Sequence, residues 1–470
     1  MAKTSLQLFQ TENSERQRRP GTLKRVASGC LAALVAVSVL VPANAQGRVA
    51  VVRDAEIETL LKDYAKPVLQ AAGLKASRVQ IVLVNDRSFN AFVDGQRIFV
   101  NTGALMQAVV PNEIIGVLAH EAGHLAGGHQ QRLREQIAAA RTMAIVGGLL
   151  GAGAIAAGSI SGNSGGARAG GALITATPGL AQRSLLSYRR SEEMNADQAA
   201  ARYLDATGQS IRGMLTTFQR FSQSLSLSGV QVDQYQVSHP LPRERIALLE
   251  ELARKSRHYD ATDPIPLQRR HNLMRAKIAA YTGGAQAVAR LFPNDRVSLA
   301  ARYGEAIATD LAGNSAASLQ KMDALIREQP NNAYFHEFRG EVLLKLRKND
   351  EAIKAFGTAA KLDRSKSPLI RARLGFALVS SGKPGNMNRA IDELRAAIQA
   401  EPDNFNAYRH LSQAYGIAGD VGNAELVMAE GNFRAGNTRD AQVFAARALQ
   451  RLPKGSPGAI RASDILTVGK

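Results

Sequence analysis

Apolar and polar positions along the first third of the chain predict a small mixed α/β fold. From Gly47 to about Ser77, apolar residues recur at three- and four-residue spacing, which predicts an amphipathic helix. The β-branched run Val79–Val84 predicts a strand, and apolar residues on both sides of Asp94-Gly95 predict a β-hairpin around that turn. Pro111-Asn112-Glu113 then marks the start of a further helix.

The next segment, residues 143–180, is dominated by glycine and alanine and carries almost no charge. A helical hairpin, a mobile lid and a membrane-facing loop all fit this composition. Its apolar run is interrupted by Gly147-Gly148, Gly151 and Gly153, which disfavours a full membrane span. We therefore expect the segment to touch a membrane or to cover an active site.

The last third of the chain is internally repetitive. One set of three positions recurs 38 residues later, which is a 34-residue period with a four-residue excess: Ala352, Phe356 and Ala359 correspond to Ala390, Leu394 and Ala397. This pattern resembles the tetratricopeptide repeat, in which small residues let two helices pack closely. An unrelated alanine-rich helical bundle is the alternative.

Composition adds a leader to this organisation. A basic region precedes the apolar run Val26–Val41, and Ala43-Asn44-Ala45 fits an A-x-A cleavage site. We predict that residues 1–45 are a cleaved signal peptide, with an uncleaved N-terminal anchor as the alternative. The single cysteine, Cys30, lies in this leader, so the remaining chain must be held together by packing rather than by disulfides.

The chain is strongly basic, with a formal net charge of +19. The predicted leader holds six basic and two acidic residues, so the remaining chain carries about +15. An exported protein rarely meets nucleic acid, and we therefore expect no nucleic-acid partner. An anionic membrane surface is the expected counterpart of this charge.

The segment His120-Glu121-Ala122-Gly123-His124 carries the candidate chemistry. Two histidines four apart lie on one helix face and can bind one metal ion, while Glu121 lies beside them and can take a proton from water. A third ligand is expected downstream, where Glu193 and Asp197 are also four apart. Glu193 is the next ligand candidate: one carboxylate could bind the metal while the other, a turn later, holds a ligand histidine. Glu192 is the rival ligand, but its spacing to Asp197 is wrong for a shared face.

This combination of HEAGH with Glu193 and Asp197 is similar to the gluzincin peptidases of the HtpX and CAAX-prenyl-protease type. Asn90-Ala91-Phe92 and Ser238–Pro242 add to the resemblance. With a leader in front and repeats behind, the chain resembles the BepA-like branch, which comprises periplasmic proteases and chaperones that act on outer-membrane protein assembly. The sequence departs from the family pattern at Arg189, where serine is usual, and at Asn195, which replaces an acidic residue.

The resemblance implies a role for each matching residue. It implies one Zn²⁺ per chain, held by His120, His124 and Glu193, with Glu121 as the catalytic base and Asp197 supporting a ligand. It further implies that His239 approaches the metal in a closed state as a gate or fourth ligand, and that Arg245 lies near the substrate carbonyl.

Two more residues or segments complete the predicted site. Asn90-Ala91-Phe92 is expected to be an edge strand that pairs with an extended substrate through main-chain hydrogen bonds. His129 is five residues beyond His124, off the helix face, and is predicted to be structural or on the surface.

These observations predict a mainly α-helical protein with a small β-sheet. We expect a gluzincin metalloprotease domain at 46–262, a connecting helical segment at 263–296 and a tetratricopeptide-repeat domain at 297–470.

The first hypothesis for function is a zinc endopeptidase of the periplasm, free or peripheral on a membrane. It would act on unfolded or stalled outer-membrane proteins, with the repeats holding substrates and the outer-membrane assembly machinery as a further candidate partner. The second is a repeat-based adaptor or chaperone whose metal site is latent or plugged. The intact base Glu121 favours the first. An intramembrane enzyme is disfavoured by the lack of several long apolar spans.

Overall fold

The computed structural model describes residues 50–161, 164–228, 238–240 and 243–468. The predicted signal peptide lies outside the described residues. Within them, contacts divide the chain into two compact units. We call Gln136–Leu185 the hairpin unit, and Ala50–Glu135 together with Leu186–Lys470 the main unit.

A four-stranded mixed sheet lies at the beginning of the main unit. Its strands are β1 (Val51–Val52), β2 (Gln80–Val84), β3 (Ala91–Asp94) and β4 (Arg97–Asn101), in the order β1-β2-β4-β3. β2 and β4 are parallel, whereas β1 pairs with β2 and β3 with β4 in antiparallel fashion. The β-hairpin predicted around Asp94-Gly95 is confirmed, and Gly95 has a φ of +61°. β3 is therefore an edge strand.

In the part of the chain that the structure describes, eight helices surround and follow the sheet: α1 (Ala55–Ala71), α2 (Thr102–Gln107), α3 (Pro111–Gly127), α4 (His129–Ile160), α5 (Ser164–Ala206), α6 (Arg212–Ser228), α7 (Arg243–Lys255) and α8 (Ile265–Leu291). The helix predicted from Gly47 begins only at Ala55. Val51 and Val52 pair with β2 instead, and Asp54 caps the helix by accepting a hydrogen bond from the amide of Ile57.

Helix α3 is the central helix of this part of the main unit. Its residues from Pro111 to His124 are all buried, and it contacts α1, α6 and β3. Gly116 allows α6 to approach closely, because a Cβ at this position would lie 2.8 Å from the Cβ of Met214. Leu61, Val100 and Leu118 share the same buried core. A helix packed on every side is a rigid support for the histidines it carries.

The remainder of the main unit consists of antiparallel helix pairs: α9 (Leu299–Leu311), α10 (Ser315–Glu328), α11 (Ala333–Lys345), α12 (Asn349–Leu362), α13 (Pro368–Ser380), α14 (Met387–Ala400), α15 (Phe405–Ile417), α16 (Val421–Arg434), α17 (Thr438–Arg451) and α18 (Pro457–Thr467). A short 3₁₀ helix, Pro384–Asn386, precedes α14. Small residues permit the close packing, since a Cβ on Gly340 would lie 2.7 Å from the ring of Phe356. The predicted fold class, mainly helical with a small sheet and a repeat region, is confirmed.

A buried ion cluster joins the first helix to α8 and the repeats. Lys277 of α8 lies 2.7 Å from Asp54 and 3.2 Å from Glu56, and the hydroxyl of Tyr303 in α9 donates to Glu56. Burial raises the pKa of Glu56, and Asp54, Tyr303 and Glu56 together raise that of Lys277 well above its ordinary value despite burial. The sheet and the repeats therefore belong to one packed body.

The hairpin unit contains most of α4 and the first half of α5. Its glycines do not end the first helix, because α4 is continuous from His129 to Ile160. Among the described residues, α4 is the one helix that is long and apolar enough to cross a membrane, by length and composition. The two helices pack in antiparallel fashion, since a Cβ on Gly151 would lie 2.6 Å from the carbonyl oxygen of Gly170.

Candidate metal centre

Four potential metal ligands from three parts of the chain meet in the main unit. His120 and His124 come from α3, Glu193 comes from α5, and His239 comes from the segment before α7. One donor atom of each lies within 4.8 Å of the others, and all four residues are buried. The structure thus brings together the two histidines and the carboxylate that the sequence predicted, together with the candidate gate.

Helix geometry and one glycine explain this meeting. His120 and His124 are one turn apart, and their Nε2 atoms lie 3.0 Å from each other. Gly123 lies between them and has no side chain to hold α5 away, because a Cβ there would lie 2.9 Å from the carbonyl oxygen of Ala196. Close contact at Ala196 places Glu193, one turn earlier on α5, beside both histidines.

Glu193 is held as a carboxylate by its neighbours. Its two oxygens lie 3.4 Å from Nε2 of His120 and 3.4 Å from Nε2 of His124. Burial raises the pKa of Glu193, but His239 and the two helix histidines outweigh burial and hold this pKa well below its ordinary value. A buried, ionised carboxylate facing imidazole nitrogens is a donor set that suits a divalent metal.

Glu121 has the free carboxylate that a general base needs. It is fully buried, and neither of its oxygens has a hydrogen-bond partner among the residues that the structure describes. The ring of His239 is near, with Nε2 3.6 Å from Oε1 of Glu121. A buried carboxylate without hydrogen-bond partners is costly, so its position beside the metal donors points to use in a reaction.

Asp197 and Arg245 form a buried pair behind His120. Nδ1 of His120 lies 2.9 Å from Asp197, and Arg245 donates to both oxygens of that carboxylate, at 2.6 and 2.8 Å. Burial raises the pKa of Asp197, but Arg245 and His120 outweigh it and lower this pKa below its ordinary value. The pair fixes the ring orientation of His120, so that Nε2 faces the metal donors.

The geometry of Arg245 favours a different role from the one the resemblance implied. Its side chain is 0% exposed and lies 2.9 Å from Glu193, and it donates to the carbonyl oxygen of Pro240 at 2.7 Å. With Asp197 as a further partner, its donors are directed at the protein itself. The role near a substrate carbonyl stays a prediction, and we propose that Arg245 positions Asp197, Glu193 and the segment containing His239.

His129 orients His124, a role that the sequence did not reveal. Nδ1 of His124 lies 2.9 Å from Nδ1 of His129, and Nε2 of His129 lies 2.9 Å from Glu192. Burial, with His124 and Arg132, lowers the pKa of His129 to about 4, so the ring is neutral at pH 7. Nε2 of His129 can then donate to Glu192 while Nδ1 accepts from His124.

Two expectations change as a result. The surface alternative for His129 is wrong, because this side chain is buried against His124. Glu192 is not the rival ligand, because its carboxylate is held by His129 and by Arg132, at 2.9 and 3.1 Å. The buried position of His129 and its contact with Glu192 both follow from Gly128. There a left-handed φ of +64° ends α3 and turns the chain back toward His124.

We expect replacement of His129 by alanine to weaken Zn²⁺ binding roughly 10–100-fold, because His124 loses the acceptor that orients it. Competition with a chromogenic chelator measures this affinity. His336→Ala is the matched control, since that histidine lies in the repeats and contacts the carbonyl oxygen of Pro330. Equal affinities for the two variants would contradict the role given to His129.

His239 lies between the metal donors and the edge strand β3. Its Nδ1 is 3.1 Å from Glu193 and its Nε2 is 3.2 Å from the carbonyl oxygen of Ala91. Ser238 contacts Asn90, and Arg189 donates to the carbonyl oxygen of Ser238 at 3.2 Å. Arg189 therefore helps to hold the segment that carries His239.

The outer edge of β3 is occupied by the protein's own side chains. In the β3–β4 register, residues 91 and 93 direct their carbonyl groups away from β4. His239 contacts the carbonyl oxygen of Ala91, and the amide of Gln130 donates to that of Val93 at 2.5 Å. Phe92 instead stacks on Phe99, with ring centroids 4.8 Å apart. An extended peptide pairing with β3 would have to displace these contacts.

Comparison with known proteins agrees with this geometry. Residues 52–253 match the family described as peptidase family M48. Residues 52–253 are therefore similar to the M48 peptidases. The chain is a metalloprotease, and this M48-like domain contains all the donor residues together with Glu121 and Arg245.

Similar proteins extend the match beyond the M48 domain. The beta-barrel assembly-enhancing protease of Escherichia coli strain K12 is 22% identical over 384 residues, covering 80% of this chain and 75% of that protein. The protein of the same name from Yersinia pestis is 24% identical over 351 residues, covering 72% and 68%.

Solved structures similar to this chain include MamA MSR-1 C2, with a TM-score of 0.31 and 19% identity over 36% of this chain and 95% of that chain. A tetratricopeptide repeat protein from Parabacteroides merdae has a TM-score of 0.27 and 13% identity over 54% of this chain and 97% of that one. At TM-scores this low, the likeness supports no inference about this chain.

Proposed function

We propose that this chain is a zinc endopeptidase of the periplasm that cleaves unfolded or stalled outer-membrane proteins. The observation that carries the proposal is the buried carboxylate of Glu121, which has no hydrogen-bond partner among the described residues and lies beside four metal donors and an edge strand. The name of the similar proteins, beta-barrel assembly-enhancing protease, supports outer-membrane proteins as the substrate class. The predicted signal peptide supports the periplasm as the location.

The spacing of the donors supports zinc as the metal. A tetrahedral zinc site with bonds near 2.05 Å has ligands about 3.3 Å apart. The distances from His120 to His124, Glu193 and His239 are 3.0, 3.4 and 3.4 Å, and His239 lies 3.1 Å from Glu193. Four of the six donor–donor distances are therefore close to the tetrahedral value, with Nδ1 of His239 as the fourth donor.

Each residue of the site has a defined part in hydrolysis. When bound, zinc acts as a Lewis acid that acidifies water and polarises the peptide carbonyl. Glu121 accepts the proton of the attacking water, and its carboxylate is ready to do so because no other group bonds to it among the described residues. β3 orients the substrate by main-chain hydrogen bonds, which place little demand on its side chains.

His239 would regulate this reaction because it contacts both the metal donors and the substrate strand β3. Its Nδ1 stands at the fourth corner of the donor set, where water must enter, and its Nε2 contacts the carbonyl oxygen of Ala91. Its departure would open a metal position and free part of the β3 edge together. This arrangement also supports the second candidate function, an adaptor or chaperone whose site is plugged and whose repeats hold the substrate.

Replacing His239 with alanine separates the two functions. We expect the variant to keep zinc through three ligands and to cleave an unfolded outer-membrane β-barrel protein several-fold faster than the unaltered chain. Chelator-treated protein should be inactive and recover on addition of Zn²⁺. His258→Ala, which changes a histidine outside the donor group, is the control. If neither the unaltered protein nor the His239→Ala variant cleaves the substrate although both hold zinc, the adaptor function would be supported instead.

A further inference from the structure

The hairpin unit exposes large apolar side chains and buries glycines. On α4, Ile145, Val146, Leu149 and Leu150 are exposed, the last two at 69% and 63%, and Ile160 is 88% exposed. The buried positions on the same helix include Gly147, Gly151 and Gly158. A helix packed in a water-soluble protein has the opposite arrangement, with large apolar residues inside.

Glycine spacing explains how the two helices of the unit pack without a core. Gly147 and Gly151 of α4 form a G-x-x-x-G pattern, and Gly166 and Gly170 of α5 form a second one. The backbones meet at Gly151 and Gly170, because a Cβ on either residue would overlap the other's carbonyl oxygen. Close backbone contact through small residues is the way helices associate in lipid, where burying apolar surface between helices gives no advantage.

The length of the apolar part of α4 matches a bilayer. The 18 residues from Met143 to Ile160 span about 27 Å, against about 30 Å for the hydrocarbon core of a membrane. Only 17% of the apolar window of α4 is buried within the protein. The exposed apolar surface is therefore both long enough and continuous enough to be covered by lipid chains.

The charged residues in and beside the hairpin unit indicate which kind of lipid it would contact. The 56 residues from Gln136 to Ser191 contain no Asp, Glu or Lys and five arginines: Arg141, Arg168, Arg183, Arg189 and Arg190. Arg141 precedes the apolar part of α4 and Arg183 follows the corresponding part of α5, so both lie at the base of the hairpin unit, while Arg168 lies near its tip. Guanidinium groups at these positions suit phosphate head groups, and the absence of carboxylates removes repulsion from anionic lipid.

We propose that the hairpin unit is a membrane anchor, in which α4 and α5 insert as a pair into a bilayer that contains anionic phospholipid. The glycine faces remain in contact inside the pair, and Leu149 and Leu150 face the acyl chains. This anchor is independent of the proposed catalytic function. It assigns the exposed apolar side chains of α4 to lipid rather than to a protein partner.

Because the chain contains no tryptophan, the fluorescence of one introduced tryptophan reports on the surroundings of that position alone. Full-length protein with Leu149→Trp is mixed with vesicles of phosphatidylethanolamine, phosphatidylglycerol and cardiolipin. We expect a blue shift of the emission and quenching by lipids brominated in their acyl chains. Ile460→Trp, which marks a 55% exposed position on α18, is the control and should show neither effect. Emission from the Leu149→Trp variant that brominated lipid does not quench would overturn the proposal. A blue shift without quenching would then indicate contact of this surface with a second copy of the chain.

A second variant tests the energetic contribution of the same face. We expect Leu149→Asp combined with Leu150→Asp to lower the vesicle partition coefficient by about a hundredfold or more, because carboxylates within the hydrocarbon layer are strongly disfavoured. Val443→Asp with Ile460→Asp places the same charges on exposed apolar positions of the repeats and should leave partitioning unchanged. Zinc stoichiometry reports whether the main unit is intact. Unchanged partitioning of the Leu149 and Leu150 variant would overturn the proposal.

Discussion

Replacing Glu121 with glutamine is expected to lower peptide cleavage by about 10²–10⁴-fold while leaving zinc bound. The side chain is buried beside the metal donors and has no hydrogen-bond partner among the described residues, so glutamine can occupy the same volume. Glutamine cannot accept the proton of the attacking water, which removes the base without removing a ligand. Single-turnover cleavage of an unfolded barrel protein, with zinc measured by atomic absorption, gives both quantities.

Glu135→Gln is the control for this change, because Glu135 is an exposed residue that lies outside the donor group. Its cleavage rate should equal that of the unaltered protein. Cleavage by the Glu121 variant at the unaltered rate would show that another group serves as base. Loss of zinc from that variant would show that Glu121 holds the site together instead of acting in the reaction.

Replacing Arg245 with alanine is expected to reduce the free energy of unfolding by roughly 3–5 kcal/mol, the usual cost of leaving buried charges without their partner. Asp197 would lose two hydrogen bonds and Glu193 a neighbouring charge, and both carboxylates are buried. Urea unfolding of metal-free protein measures the loss separately from metal binding. The effect should reach the segment before α7, because Arg245 also bonds to the carbonyl oxygen of Pro240.

Arg243 offers a matched comparison, since it is an exposed arginine two residues earlier on the same helix. Arg243→Ala should change stability little, because exposed charges contribute little. Arg245→Lys should lie between the two, since lysine keeps the charge but cannot make the two-pronged bond to Asp197. If Arg245→Ala were as stable as Arg243→Ala, the positioning role would be excluded.

The parts of the site that depend on helix geometry were predictable from the sequence. His120 and His124, and likewise Glu193 and Asp197, are four residues apart, so each pair must share a face wherever its helix lies. The β-hairpin around Asp94-Gly95 follows from turn chemistry in the same way. Which residue of the acidic cluster would face the histidines was not determined by spacing, because it depends on how α5 packs on Gly123.

The sequence leaves His129 as either structural or on the surface, because its position is assessed there on a continuous helix. α3 ends at Gly128, so the five-residue spacing from His124 no longer describes a helix face. The available signal was Gly127-Gly128 itself, a glycine pair directly after the metal motif. Gly128 provides the left-handed turn, and Gly127 makes room for the imidazole ring of His129.

The glycines of residues 143–180 interrupt the apolar run and led to the expectation that it does not span a membrane, whereas α4 continues through them. Glycine lowers helix propensity in water by up to about 1 kcal/mol per residue, which favours interruption in an isolated segment. Here Gly151 and Gly170 give a gain in packing that the sequence of one helix cannot reveal. The pairing of two G-x-x-x-G patterns became informative only when both helices were seen in contact.

The position of β3 at the edge of the sheet has a consequence for timing. Under the proposed function, a substrate must present an unpaired strand to replace the contacts of His239 and Gln130 with β3. A finished β-barrel has no unpaired strand, because closure joins its first and last strands. The chance of cleavage then grows with the time that a barrel spends open. The rate of barrel closure would therefore decide the outcome: proteins that close quickly would escape cleavage, and proteins that close slowly would be removed.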